Sequence, residues 1–301
     1  MANILVTGAN GQLGSEFRKL SKKSGHEFIF TDIDELDLTD RNAIERFFEN
    51  KDISFCINCA AYTAVDKAES EIENAIAINV TAVRNLAEVC NNNQTAFIHI
   101  STDFVFDGSN CQPYVESDKA RPINVYGQTK YQGEHQALKE NARTIIIRTS
   151  WLYSSFGNNF VKTMMKVGLK NDTLNVIFDQ AGTPTYAFDL AEAILTIIDK
   201  IKNKVINKSE YFGIFHYSNE GIASWYDFAI EIFRISGINC MVNPILTKDY
   251  PTPSKRPHFS VLDKSKIKST YDLAIPYWKD SLSRCIKEID NRRKSESGED
   301  S

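Results

Sequence analysis

The residues best suited to move a proton are Tyr126 and Lys130, in the run Tyr126-Gly127-Gln128-Thr129-Lys130. Ser101-Thr102-Asp103 precedes them at the end of an apolar run. Tyr and Lys four positions apart lie on one face of a helix, one turn from each other. A phenol ordinarily titrates near pH ~10 and is a poor acid–base catalyst at neutrality. A neighbouring ammonium favours the phenolate and lowers that value. A hydroxyl from Ser101 or Thr102 then shares a substrate oxygen with Tyr126. Such a set handles a proton at an oxygen, and it needs a partner that works at the attached carbon.

That partner is indicated at the other end of the chain. Ile4-Leu5-Val6 runs directly into Thr7-Gly8-Ala9-Asn10-Gly11-Gln12-Leu13-Gly14. A strand over Asn3 to Thr7, a glycine bend and a helix from near Gln12 form a dinucleotide turn. Gly8, Gly11 and Gly14 allow the tight bend, close approach to a pyrophosphate and close helix–strand packing. The free N–H groups and positive end of that helix receive the phosphates. The spacing is G-x-x-G-x-x-G rather than G-x-G-x-x-G, so the familiar fingerprint is not met. A nicotinamide held there supplies hydride chemistry, its positive charge also favours the phenolate, and Lys130 can reach its ribose. Asp32 follows the strand Phe28-Ile29-Phe30-Thr31, about ~20 residues past the glycines. A carboxylate there accepts hydrogen bonds from the adenosine ribose and repels a 2′-phosphate, and Ile33 brings no cation. This favours NADH over NADPH. The competing reading makes Asp32 part of a solvated acidic loop with Asp34, Glu35, Asp37 and Asp40.

The elements that must position these groups are legible as an alternation. Short apolar runs at 53–61, 96–101 and 144–149 alternate with helical stretches at 41–50, 70–93 and 126–141. The last of these enters from a turn at Pro122. That is the pattern of βαβ units with a parallel sheet. The fold class is α/β, a Rossmann-type doubly wound parallel sheet with a smaller C-terminal substrate-binding region. We assign residues 1–150 to the dinucleotide-binding part, with segments such as 174–200 returning to it. Residues 151–289 form the substrate region. Residues 290–301 (DNRRKSESGEDS) are polar and charged and read as a disordered tail. A chain of 301 residues has length enough for a substantial core. Its net charge of −4 argues against a nucleic-acid partner. No long apolar segment points to a membrane. The glycine turn begins too early for a signal peptide, so a cytoplasmic location is expected.

Other chemistry-bearing residues read as structural. Cys56-Ile57-Asn58-Cys59 is a C-x-x-C within a buried strand, where i and i+3 are not brought together as in a turn. The six cysteines are expected to be reduced thiols. His99 lies inside the strand leading to Ser101 and reads as a core residue rather than a base. His26, His135, His216 and His258 show no metal-ligand spacing. The loop Pro251-Thr252-Pro253-Ser254-Lys255-Arg256-Pro257 is stiffened by its prolines and offers two cations, with Arg256 suited to bidentate contact with a diphosphate. Its other reading is a surface loop with incidental charge.

The chain resembles the extended short-chain dehydrogenase/reductases and, within them, the dTDP-4-dehydrorhamnose reductase family. The resemblance runs almost end to end. It is carried by GANGQLG (8–14), DLTD (37–40), NCAAYTAVDKAE (58–69), AINV (77–80), STDFVFDG (101–108), P-I-NVYGQTK-Y-GE (122–134), RTSWLY (148–153), GNNFVKTM (157–164), DQAGTPT (179–185) and RPHFSVLD (256–263). The resemblance implies reduction of the 4-keto group of dTDP-4-dehydro-L-rhamnose with NADH or NADPH. Tyr126 would donate the proton, Lys130 would orient the cofactor ribose and tune Tyr126, and Thr102 would hydrogen-bond the carbonyl beside Asp103. Gly11, Gln12 and Leu13 would line the pyrophosphate, Asp37 and Leu38 the adenosine, and Ala60, Ala61 and Tyr62 the riboside. Tyr62 stands where a His is often expected. Trp151 would cover the deoxysugar, and Arg256 would assist substrate recognition or closure of the cleft. Some relatives hold a divalent ion between paired subunits with glutamates, which makes a homodimer conceivable. Glu16 matches one such position but Phe188 replaces another, so no protein-built metal site is expected.

Other members of the superfamily are epimerases or 4,6-dehydratases of nucleotide sugars. A dehydratase would carry Glu after Thr102-Asp103 to expel water. Phe104 stands there instead and cannot move a proton. Some close relatives are non-catalytic regulatory subunits, against which the intact Thr102, Tyr126 and Lys130 speak.

Overall fold

The structure is a computed structural model, and it describes residues 1–203 and 210–297. The first half of the chain lays down strands and helices in strict alternation. Strand β1 (Asn3–Thr7) leads to α1 (Gln12–Ser21), β2 (Glu27–Thr31), α2 (Arg41–Phe48) and β3 (Phe55–Asn58). After β3 come α3 (Val65–Ala68) and α4 (Ile72–Ile76), then a π-helical turn over Ala77–Thr81 that runs into α5 (Ala82–Asn92). Then follow β4 (Ala96–Thr102), α6 (Val125–Glu140) and β5 (Thr144–Thr149). The helix starts follow local chemistry. Asp40 caps α2 through the N–H groups of Asn42 and Ala43, and Asn124 caps α6 through that of Gly127.

The second half is less regular. It comprises β6 (Leu152–Tyr153), α7 (Phe160–Gly168), β7 (Thr173–Ile177), β8 (Ala181–Gly182), β9 (Thr185–Tyr186), α8 (Ala187–Lys202) and β10 (Gly213–His216). The chain ends with β11 (Ala223–Ser224), α9 (Trp225–Ser236), β12 (Met241–Ile245), α10 (Ser265–Tyr271) and α11 (Trp278–Ser297). The helix α11 continues past residue 290, where composition suggests a disordered tail. Residues 298–301 lie outside those described.

The main sheet has six parallel strands in the order β10-β5-β4-β3-β1-β2. The order reverses at β1 and β3, and ligands of such sheets bind outside the strand ends at that reversal. The inner strands β1, β3, β4 and β5 are buried on both faces, which is why they read as continuous apolar runs. On one face α1 and α8 pack through Leu13, Phe17, Leu190, Ile194 and Ile197. On the other face α2, α5 and α6 pack through Ile44, Val83, Leu86 and Ala137. So α8 and β10 belong with the nucleotide-binding half, whereas 173–186 do not. The small pairs β6–β9, β8–β11 and β7–β12 lie with the C-terminal part. That part has its own core around Tyr153, Phe228, Trp278 and Leu282.

Candidate active site

Above the ends of β1, β3, β4 and β5 lies a cleft of about 830 Å³. Gly8, Gly11, Gln12 and Leu13 line one end, Thr102, Asp103, Tyr126 and Lys130 the middle, and Trp151, Trp225 and Arg256 the other. The first end is a cradle for an anion. Gly8 has φ +64°, and a side chain there would meet the Ala60 nitrogen at 2.6 Å. The two βα turns therefore pack backbone to backbone. Gly11 starts α1 without a capping side chain, which leaves first-turn N–H groups to be met by a ligand. These residues fit a dinucleotide pyrophosphate.

Asp32 sits beside this turn, half-buried at the end of β2. Its carboxylate accepts the N–H groups of Asn10 at 2.8 Å and Ile33 at 2.9 Å. It is therefore part of the turn's framework rather than a free loop charge.

The reacting groups come from two elements. β4 delivers Ser101 and Thr102, and the first turns of α6 deliver Tyr126 and Lys130. The two hydroxyls have separate tasks. Ser101 donates to Glu134, which also takes a two-pronged contact from Arg148 at 2.9 and 2.7 Å. This ion pair is wholly buried and ties α6 to β4 and β5. Thr102 is thus the hydroxyl left to the cleft. It donates to Asp103 Oδ1 at 3.1 Å and accepts the Phe104 N–H. Burial pushes the Tyr126 phenol up to about 12, the Thr102 hydroxyl opposes this, and the Asp103 charge adds to it. The expected lowering by Lys130 is not what the structure shows. Lys130 Nζ donates to the Ile100 carbonyl at 2.6 Å and lies 3.3 Å from His99 Nε2. Burial lowers Lys130 itself to about 8, against the pull of Glu134 and Cys59.

Asp103 is a buried carboxyl beside the reacting groups, and burial pushes it up to about 6. Its folded value lies above the ordinary 3.8, so the protonated form favours the fold. That stability is fully present below about pH 4 and is lost as pH rises toward 6. Asp103→Asn is therefore expected to melt above the parent at pH 7–8, by at most about 3 kcal/mol, and level with it near pH 4. Thermal unfolding at the two pH values checks this; equal stabilisation at both would contradict it.

The comparisons with known proteins agree with this geometry. The family model described as RmlD substrate binding domain matches residues 1–291. A dTDP-4-dehydrorhamnose reductase of Aggregatibacter actinomycetemcomitans is 40% identical over 289 residues, 94% of this chain and 97% of that protein. The chain belongs to the dTDP-4-dehydrorhamnose reductase family. A crystal structure of such a reductase from Clostridium acetobutylicum superposes with a TM-score of 0.90 at 44% identity, over 96% of this chain and 99% of that one. One from Bacillus anthracis, in complex with NADP, superposes at 0.88 with 35% identity, over 96% of this chain and all of that one.

Several of the other expected site residues have partners within the fold. Gly14 packs on the backbone of Ala9, and Ala60 on that of Gly8. The Asp37 carboxylate accepts both the N–H and the hydroxyl of Thr39. Leu38 is buried in the core beneath α2 and α5. Ala61 lines the cleft, but the Tyr62 hydroxyl donates to Glu71 at 2.8 Å. Trp151 is not an open wall. It sits at φ +47°, a conformation unfavourable for its residue type, and stacks on Trp225 with ring centres 3.6 Å apart. Arg256 lines the cleft with its guanidinium held by Asp66 at 2.8 Å and the Ser254 carbonyl at 3.2 Å.

Sequence reasoning missed three supports. Asn79 lies in the π-helical turn, accepts the Tyr62 N–H, and donates to Thr129 on α6. Glu134 and Arg148 carry the buried ion pair, and Trp225 completes the aromatic wall. A carboxylate one helical turn beyond Lys130 was the available signal for Glu134. The others depend on distant pairings. Among the described residues no group of three or more His, Cys, Asp or Glu side chains is placed to hold a metal ion. Glu16 is buried and accepts the Ser154 hydroxyl at 2.6 Å. No helix among the described residues is long and apolar enough to cross a membrane.

Proposed function

We propose that this chain reduces the 4-keto group of dTDP-4-dehydro-L-rhamnose to the alcohol, using NAD(P)H, in the formation of dTDP-L-rhamnose for surface polysaccharide. One observation carries the reading: Thr102, Tyr126 and Lys130 converge in the same cleft as the glycine cradle of α1. The curated relatives' names point to the same substrate. When bound, the reduced nicotinamide supplies hydride to C4. Tyr126 gives its proton to the oxygen, and Thr102 holds that oxygen in place. An alkoxide is a much stronger base than a phenolate, so a phenol near 12 still protonates it. Lys130 meets the cofactor ribose. Trp151 and Trp225 form the apolar wall beside the deoxysugar methyl group, and Arg256 approaches the diphosphate. Phe104 lies edge-on to Tyr126 at 5.6 Å, where a dehydratase would need an acid.

The test is to mix purified protein, the nucleotide-linked 4-keto sugar and NADH or NADPH, and to follow nicotinamide absorbance. Substrate-dependent loss of absorbance with formation of the 4-alcohol is expected. No such loss with either cofactor would overturn the reading.

NADH is the expected preference. Asp32 places a charge where a 2′-phosphate would lie, and two like charges there cost about 1–4 kcal/mol. That corresponds to a preference of roughly tenfold or more. Arg41, one cation that could offset it, is engaged by Glu45 at 3.1 Å and Glu88 at 2.9 Å. Asp32→Ser with Ile33→Arg is expected to move the preference toward NADPH. Steady-state kinetics with each cofactor checks this, and a parent protein that clearly favours NADPH would remove Asp32 from that role.

A further inference from the structure

The cation at the far end of the cleft is held by a residue outside it. Among the described residues that line the cleft, Lys130 and Arg256 are the two cations. Lys130 is buried against β4, so an anion at the end away from the glycine cradle has Arg256 to meet. Arg256 Nη1 donates to the Ser254 carbonyl at 3.2 Å, and Nη2 donates to Asp66 Oδ2 at 2.8 Å. A guanidinium carries five N–H groups. The others of Arg256 have no partner among the described residues. Asp66 comes from α3 on the nucleotide-binding half, and its second oxygen accepts the N–H of buried Ser254 at 3.2 Å. The loop has further seats. Asn124, which caps α6, donates to the Lys255 carbonyl at 2.7 Å. A side chain on Gly108 would meet that of Pro257 at 2.6 Å. The Arg256–Asp66 pair is 23% and 40% exposed, and a pair so exposed adds little to stability. What it does fix is the direction of the guanidinium.

We propose that Asp66 is a positioning residue for substrate recognition, holding the Arg256 guanidinium so that its free N–H groups meet the diphosphate of a nucleotide sugar. The proposal rests on the reductase reading, which gives the cleft two ligands with a diphosphate: the cofactor on the glycine cradle and the sugar nucleotide at the other end. A planar fork matches phosphate oxygens in pairs only when its edge faces them. An arginine already held in that orientation has less side-chain freedom to lose when the ligand arrives. Asp66 carries charge of the same sign as the diphosphate. It is not among the residues that line the cleft, and it stands partly in solvent, where water and salt weaken that repulsion. The gain from orientation therefore outweighs the repulsion.

Asp66→Asn separates the two duties of the carboxylate. The amide oxygen goes to the buried Ser254 N–H, where an unmet donor costs most, and the amide nitrogen then faces the guanidinium donor to donor. Arg256 is released while its loop stays seated. Calorimetric titration of the full-length protein with dTDP is expected to show binding weakened about three- to tenfold. Thymidine, which lacks the diphosphate, should bind as it does to the parent. In steady state KM for the nucleotide sugar should rise by the same factor while kcat and the affinity for NADH hold. Arg256→Ala should weaken dTDP at least as much, and adding Asp66→Asn to it should change nothing more. Unchanged or tighter dTDP binding in Asp66→Asn overturns the proposal. So does an equal loss for thymidine, or a loss that persists undiminished in the Arg256→Ala background. Should Asp66→Asn fail to fold, Arg256→Lys decides: the charge stays, the fork that Asp66 orients is gone, and unchanged dTDP affinity overturns the proposal. The expected binding pattern in a protein that does not reduce the 4-keto sugar would sustain this proposal and overturn the reductase reading. Reduction of that sugar with dTDP binding unmoved by Asp66→Asn would do the reverse.

Discussion

Tyr126→Phe is expected to lower turnover by ~10²-fold or more while cofactor binding survives. The substitution removes one oxygen and its proton and keeps the ring, which packs edge-on against Phe104. The hydroxyl and amine beside it are poorly placed to replace the lost donor. Thr102 already donates to Asp103, and its own hydroxyl is a far weaker acid. Lys130 is held away from the reacting oxygen by its contact with the Ile100 carbonyl. Steady-state kcat with saturating NADH or NADPH measures the effect, and cofactor titration by fluorescence shows whether the binding site remains intact. Near-normal turnover would mean that another group protonates the sugar oxygen. A loss of cofactor affinity as large as the loss of turnover would mean that the ring, rather than the proton, is what matters.

Gly127→Ala is expected to reduce turnover comparably, by a different route. A methyl group at position 127 would lie 2.2 Å from the Phe104 carbonyl oxygen and 3.1 Å from the Pro122 side chain. The nearest obstacle is backbone, so α6 must shift. Phe104 belongs to the segment that carries Thr102 and Asp103, and Tyr126 is next to the substituted residue. The shift therefore opens the distance between proton donor and oxygen-binding hydroxyl. A displacement of about 1 Å at reacting groups can cost ~10²-fold, and overpacking of this kind destabilises by about 1–3 kcal/mol. The kinetic loss should exceed what unfolding explains, since a protein stable by about 5–15 kcal/mol stays folded after such a change. Turnover measured beside a melting curve separates the two. Retained activity would show that the start of α6 can move without disturbing the site.

The sequence by itself determined the parts of this protein that depend on local spacing. Gly8, Gly11 and Gly14 after an apolar strand specify a βα turn because only that backbone brings strand, bend and helix so close. The alternation of buried strands with helices specifies a parallel sheet, since each crossover must return over one face. Tyr126 and Lys130 share a helix face by the 3.6-residue period alone. Thr102 and Asp103 stand at a strand end, where the sheet opens to ligands.

The tertiary structure decided what each of those groups faces. Ser101 and Thr102 are equivalent in sequence, and the Glu134–Arg148 pair separates them by claiming Ser101 from two other elements. Lys130 is one turn from Tyr126, yet β4 draws its amine toward Ile100 and His99. Trp151 reads as an open wall until α9 brings Trp225 onto its ring. Tyr62 stands next to a cleft residue, but Glu71 takes its hydroxyl. Asp32 reads as a ribose ligand with a loop charge as the competing reading, and the Asn10 N–H fixes it to the glycine turn. In each case the choice is made by a partner remote in the chain. A buried polar group must find a hydrogen bond, and only the folded sheet determines which one lies within reach.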